Sequence, residues 1–210
     1  MVGCLSASSD MHSNPVFSRL AIAFLAASLL LGWVPAAAGS AGPQLARRWS
    51  LVTPEGLAVE FVQRPLDLTE AFFQGRGFTP AVSRQIANAC VLAVVVSNRS
   101  ASTIFRVDLG DWRVQGRDVR PQQLRLDADW QRAWKRMRIA RAQRIAFRYA
   151  MLPTRQVLRP GDRLQGMITT NLSTGQRFDM NIRWEANGEP GQAWLRGLAC
   201  AMPSQRGNRP

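Results

Sequence analysis

The chain has 210 residues, of which 46% are hydrophobic and 20% are charged, and its formal net charge at pH 7 is +13. This length fits one ordinary domain, and the balance of apolar and charged residues excludes a disordered chain, a collagen and a coiled coil. Histidine occurs once, as His12, so most histidine-based catalysis and zinc binding depends on that single residue.

An apolar run near the N-terminus has the features of a signal peptide. Residues 20–34 are uncharged, follow an arginine and precede a proline and a string of small residues. The run is shorter than the roughly 20 residues of a transmembrane helix, and Ala36 with Ala38 is typical of a peptidase site. We therefore predict a signal peptide over 1–38, with Met11 as an alternative start. The mature protein is expected to be periplasmic or secreted without a transmembrane helix; an uncleaved N-terminal anchor is the alternative.

Cleavage would leave no histidine. A Ser-His-Asp triad, a histidine-ligated zinc and histidine acid–base chemistry are then excluded. The close acidic pairs are Asp108 with Asp111 and Asp127 with Asp129, and the second pair fits helix capping. We predict no catalytic residue, no metal and no cofactor. An envelope enzyme that uses carboxylates is the alternative.

The first third of the mature chain predicts a hairpin and two helices. Apolar residues alternate over 49–62 around a Pro-Glu-Gly turn, which is typical of paired strands. A short helix begins near Asp67 and ends at Gly75. Thr79, followed by a proline, begins a second helix that continues to Ala89.

The middle of the chain predicts buried strands and one inserted helix. The valine-rich run Cys90–Ser97 indicates a central strand buried on both faces. Phe105–Leu109 alternates as a half-exposed strand, and Trp112–Val114 extends it or begins another. Asp127 or Asp129 caps a third helix with an apolar inner face formed by Trp130, Ala133, Trp134 and Met137.

The last third predicts strands separated by tight turns. Apolar residues alternate with arginine and alanine over 145–151, which indicates a strand. A turn at 159–162 separates two more strands, and a final hairpin over 178–198 turns at Asn187-Gly188. The stretch 158–184 is similar to the turns and strands of exported immunoglobulin-like sandwiches.

Together these elements predict an antiparallel immunoglobulin-like β-sandwich, mainly β, with two short helices before the central strand and one inserted helix. The single domain is expected to cover 39–202, followed by a mobile tail over 203–210.

The mature chain keeps two cysteines, Cys90 and Cys200. An even number in an oxidising compartment favours one disulfide, and two buried thiols are the alternative. A redox pair is disfavoured because there is no C-x-x-C motif.

The segment 113–148 is strongly basic, with eleven basic residues against three acidic ones. It predicts a face that attracts anions, and the bland alternative is a solvated surface. The candidate anion-binding residues are Arg132, Lys135, Arg136, Arg138, Arg144 and Arg148. We expect a non-catalytic exported bacterial envelope protein that acts as a binding or accessory module. Its partner would be an unknown envelope protein or an anionic envelope component, with nucleic acid disfavoured. A structural subunit of a larger envelope complex is a further alternative.

Overall fold

The structure is a computed structural model that describes residues 46–116 and 120–203. The predicted signal peptide, with His12, and the tail from residue 204 onward lie outside the described residues.

The described residues form a mainly β domain with two antiparallel sheets, as the sequence predicts at this level, and with four helices rather than the three predicted. The strands are β1 (Arg48–Val52), β2 (Leu57–Gln63), β3 (Leu92–Asn98), β4 (Phe105–Asp108), β5 (Arg113–Gly116), β6 (Gln122–Gln123), β7 (Arg155–Leu158), β8 (Arg163–Ile168), β9 (Arg177–Ala186) and β10 (Glu189–Ala199). The helices are α1 (Leu66–Gln74), α2 (Pro80–Ala87), α3 (Asp127–Arg136) and α4 (Arg141–Ala150).

The first sheet has the order β1-β2-β3-β8. The β1–β2 hairpin is the one predicted over 49–62, and β3 lies between β2 and β8 as the predicted central strand. Leu92, Val94 and Val96 of β3 are buried, whereas the alternate residues Ala93 and Val95 are only partly buried. The strand β3 is therefore fully buried on one face and only partly buried on the other, rather than fully buried on both as predicted.

The second sheet is built around the long strand β9. β10 pairs along one side of β9, while β5 and β4 pair with successive parts of its other side and are flanked by β6 and β7. Asn187 and Gly188 join β9 to β10 with φ angles of 51° and 94°. Both angles are left-handed, which is the conformation that an Asn-Gly hairpin turn requires. The predicted final hairpin is confirmed.

Both sheets contribute to one buried apolar core. Phe61 of β2 and Trp112, just before β5, have ring centroids 6.0 Å apart in an edge-to-face arrangement. Cys90 lies just before β3 and Cys200 just after β10, with sulfur atoms 2.06 Å apart and Cα atoms 5.0 Å apart. The predicted cysteine pair is confirmed at disulfide distance, and it links the two sheets.

The predicted strand over 145–151 is wrong, because residues 145–150 belong to α4 and Met151 only caps its C-terminus. Two helices are therefore inserted between β6 and β7, rather than one. The alternation of apolar residues does not correspond to one buried face: Phe147 and Met151 are buried, but Ile145 and Tyr149 are exposed. Arginine, alanine and glutamine, which make up seven of the ten residues of α4, are good helix formers. This local preference prevails because no strand among the described residues pairs with the segment.

Candidate anion-binding face

The helix α3 carries four of the six predicted cations at or near its C-terminal half. Its N-terminus is fixed by Asp129, whose side chain accepts a hydrogen bond of 2.9 Å from the backbone N–H of Leu126. Asp127 and Asp129 occupy the first turn, and Lys135 and Arg136 the last. This distribution complements the helix dipole, so the basic end of α3 is stable without carboxylates beside it.

An aromatic cluster holds α3 and α4 against the first sheet. Trp130 donates a hydrogen bond of 2.9 Å from Nε1 to Oγ1 of Thr169, and both residues are fully buried. The Trp130 and Trp134 rings stack with centroids 4.8 Å apart, and Phe147 of α4 lies 5.3 Å from each of them. Because the apolar sides of both helices face this cluster, their charged sides face solvent. We call the solvent-facing surface of residues 127–150 the basic face.

The six predicted anion-binding residues differ in pairing and exposure. Arg132 is paired with Asp129, and Arg148 lies 3.4 Å from a carboxylate oxygen of Asp127. Arg144 is partly buried. Lys135, Arg136 and Arg138 are exposed and have no acidic partner within the described residues, and the same holds for Arg141 at the start of α4.

Two arginines that flank α1 add cations that the sequence prediction omitted. The guanidinium carbon of Arg76 lies 3.4 Å from the centroid of the Phe72 ring, and that of Arg64 lies 5.4 Å from it. The two guanidinium groups are therefore less than 9 Å apart. Gln143 of α4 donates a hydrogen bond to the carbonyl of Gly77, which places this pair beside the basic face.

Electrostatics show that this crowding is unfavourable for the charged state. Burial lowers the pKa of Arg64, and the positive charge of Arg76 lowers it further. Arg64 and Arg76 have no salt bridge to an acidic residue within 46–116 and 120–203. Two like charges held around one aromatic ring without a carboxylate favour an anion from outside the chain.

A further omitted cation, Arg125, lies just before the N-terminus of α3. The guanidinium carbon of Arg125 is 3.5 Å from the centroid of the Trp130 ring. Burial lowers the pKa of Arg125; the carboxylate of Asp129 opposes this effect, and the charge of Arg136 adds to it. Arg125 belongs to the basic segment 113–148 and lies two residues before α3, so its position near the basic face follows from the sequence. The Arg64–Arg76 pair forms no cluster in the sequence, and nothing in the local sequence pattern distinguishes these two residues from other arginines.

A further cavity lies elsewhere, on the second sheet. It is a groove of about 860 Å³ lined by β4, β7, β9 and the start of β10. One oxygen of Asp108 accepts a hydrogen bond of 2.8 Å from Arg155, and the other accepts one of 2.7 Å from the backbone N–H of Gly110. Arg106, Arg155 and Arg183 in the groove are matched by Asp108, Asp111 and Glu185. Its charges therefore balance, and Asp108 has a structural role.

The remaining observations concern metal binding, membrane insertion and similarity to known proteins. Within the described residues there is no group of three or more histidine, cysteine or acidic side chains placed to hold a metal ion. None of the helices in the described part of the chain has the length and apolar character needed to cross a bilayer. Comparison with protein families, curated proteins and solved structures finds no match to this chain.

Proposed function

We propose that the protein is an exported, non-catalytic binding or accessory module of the bacterial envelope, and that the basic face attracts an anionic partner. The observation that carries the proposal is the set of exposed cations that have no acidic partner among the described residues, Lys135, Arg136, Arg138 and Arg141, next to the crowded Arg64–Arg76 pair. Several uncompensated charges on one surface produce a field that attracts anions over about one Debye length.

The finer fold assignment is part of this proposal. β3 pairs with β8 and β2 in one sheet, and β9 pairs with β4 and β10 in the other. If β2, β3 and β8 are taken as strands A, B and E, and β4, β9 and β10 as strands C, F and G, these pairings follow the immunoglobulin pattern. This supports an immunoglobulin-like sandwich, an architecture common in binding modules, although fold alone does not assign a function.

Export is supported by two independent features. The apolar run over 20–34 resembles a signal peptide, and the Cys90–Cys200 pair at disulfide distance is typical of proteins in oxidising compartments.

The proposal is tested by removing charge from the basic face. We would replace Lys135, Arg136 and Arg138 with glutamine and measure retention on immobilised heparin, a soluble sulfated polysaccharide, across a salt gradient. The variant is expected to elute at clearly lower salt than the wild type. Because the three side chains are exposed, thermal unfolding should not change beyond a degree or two.

A matched control removes the same charge from another surface. Arg99, Arg159 and Arg163 are exposed and lie by the turns at the far end of β3, about seven residues of strand away from the helices. Their triple glutamine variant has the same net charge as the Lys135/Arg136/Arg138 variant, but it should elute close to the wild type. If the two triple variants elute at the same salt concentration, retention depends on net charge alone and the basic face has no special role.

A further inference from the structure

The outer side of α4 carries an apolar stripe inside the basic face. Arg141, Ile145 and Tyr149 are spaced four residues apart and so lie along one side of the helix. Ile145 is 43% exposed and Tyr149 is 86% exposed. Phe147, which faces the aromatic cluster, is the one fully buried residue of α4. The helix thus leaves an aromatic ring and an aliphatic side chain in water, beside its own cations.

The charged residues of α4 itself are all basic, and one of them, Arg148, pairs with Asp127 of α3. Within α4 the charged residues are Arg141, Arg144 and Arg148, and no acidic residue is present. Met137, at the end of α3, is also 39% exposed and lies between Arg136 and Arg138 in the chain. Basic residues that flank exposed apolar side chains on a helix are typical of helices that lie in the interface of an anionic bilayer.

We propose that the anionic partner is the surface of an anionic phospholipid bilayer, and that α4 lies in its interface with Ile145 and Tyr149 inserted between head groups. This inference rests on the proposed function, because it names the class of partner that the basic face binds. A soluble polyanion neutralises the cations but leaves the apolar stripe in water. A bilayer accepts both, since tyrosine is favoured at the boundary between head groups and acyl chains.

The anchoring of α4 is consistent with this orientation. Gln143 bonds to the carbonyl of Gly77 and Arg148 pairs with Asp127, so both contacts fix α4 to the rest of the domain through residues outside the stripe. The stripe itself is left free to contact a surface without unfolding of the helix.

The test compares vesicles with a soluble polyanion. We would measure co-sedimentation of the mature protein with phosphatidylglycerol-containing vesicles and with pure phosphatidylcholine vesicles, and retention on heparin in parallel. The key variant is Ile145→Ser with Tyr149→Ser. It is expected to bind anionic vesicles about tenfold more weakly than the wild type, because it loses inserted apolar area, while its heparin retention stays unchanged.

The matched control changes two exposed apolar residues on the sheets. Val52 on β1 and Val157 on β7 are each 55% exposed, and their double serine variant should bind vesicles as the wild type does. A second readout uses Tyr149 directly, since it is the only tyrosine in the chain. Nitration of this ring by tetranitromethane should slow markedly in the presence of anionic vesicles and remain unchanged with heparin.

The outcomes separate this inference from the proposal on which it rests. If the wild type is retained on heparin but does not sediment with anionic vesicles, or if the Ile145/Tyr149 variant sediments as the wild type does, the bilayer inference is wrong and the anion-binding proposal stands. If the wild type binds neither heparin nor anionic vesicles, both are wrong.

Discussion

The bond between Cys90 and Cys200 is expected to contribute a large part of the stability of the domain. It joins the first sheet just before β3 to the second sheet just after β10, and both cysteines are 2% exposed. The two residues are 110 positions apart, so the bond closes most of the domain into one loop. On the chain-entropy model, a loop of this length stabilises the folded state by about 4.8 kcal/mol.

For a domain of this size that free energy corresponds to a fall in Tm of roughly 10–20 °C when the bond is broken. Two perturbations separate the cross-link from the packing of the sulfur atoms. Adding a reductant to the wild type breaks the bond and leaves the side chains in place. Replacing Cys90 and Cys200 with alanine also removes buried atoms, so this variant should unfold at a slightly lower temperature than the reduced wild type.

The assay is thermal and urea unfolding, followed by circular dichroism, of the wild type and the double alanine variant with and without reductant. The reductant should lower the Tm of the wild type strongly and leave that of the variant unchanged. A wild type whose Tm moves by less than about 2 °C under full reduction, verified by thiol titration, would refute the reasoning, because the cross-link would then contribute little.

Two further predictions concern single positions in the sheets. Burial would raise the pKa of Asp179, but hydrogen bonds from the Arg196 side chain and the Gly197 backbone outweigh it and hold the pKa below its usual value. A lowered pKa in the folded state stabilises the domain at pH values above the pKa of the unfolded state, so Asp179→Asn should reduce stability in urea at pH 7. The difference from the wild type should shrink as the pH falls below about 4. A Cβ added at Gly166 of β8 would come within 2.4 Å of the backbone nitrogen of Leu152, so Gly166→Ala should lower the free energy of unfolding by about 2 kcal/mol or more, and an unchanged urea midpoint would contradict this close approach.

The sequence predicts the strands of this fold well where burial alternates and a turn motif fixes the register. The hairpin at Asn187-Gly188 is the clearest case, because Phe178, Met180 and Ile182 face the core at every second position. Counting cysteines pairs Cys90 with Cys200, because no other cysteine lies outside the predicted signal peptide. Sheet order is not predictable in this way, since it depends on which strands meet across the core.

The misassignment of α4 shows the limit of periodicity. Over 145–151, apolar side chains at alternate positions fit a strand equally well, and the error arises because only Phe147 and Met151 of those side chains are buried. Helix propensity, the link of Gln143 to Ala140 at the helix start and the lack of a pairing partner decide the outcome. The error also moved Arg144 and Arg148 from a helix to a strand in the prediction.

The candidate site is only partly predictable for a related reason. Lys135, Arg136 and Arg138 are adjacent in the sequence, so their cluster is visible before the fold is known. Arg64 and Arg76 approach each other only because the chain returns around Phe72, and the absence of a carboxylate partner among the described residues is a property of the tertiary structure.

The distribution of charge argues against a composition bias as the sole origin of the basic face. A chain enriched in arginine by codon usage alone should carry its excess evenly over the surface. Residues 64–91 and 124–151, which contain the four helices, carry eleven basic and four acidic side chains; the rest of the described chain, although longer, carries twelve basic and eight acidic ones. Basic side chains are therefore more frequent where the helices lie, whereas acidic ones are about equally frequent in both parts. The ion pairs divide evenly, with Arg84–Glu70, Arg132–Asp129 and Arg148–Asp127 on the helices and Arg48–Glu60, Arg155–Asp108 and Arg196–Asp179 on the sheets, so the additional cations of the helical part are not matched by additional ion pairs. Because unpaired like charges on neighbouring helices are destabilising, their retention on this side is better explained by an external anion than by composition.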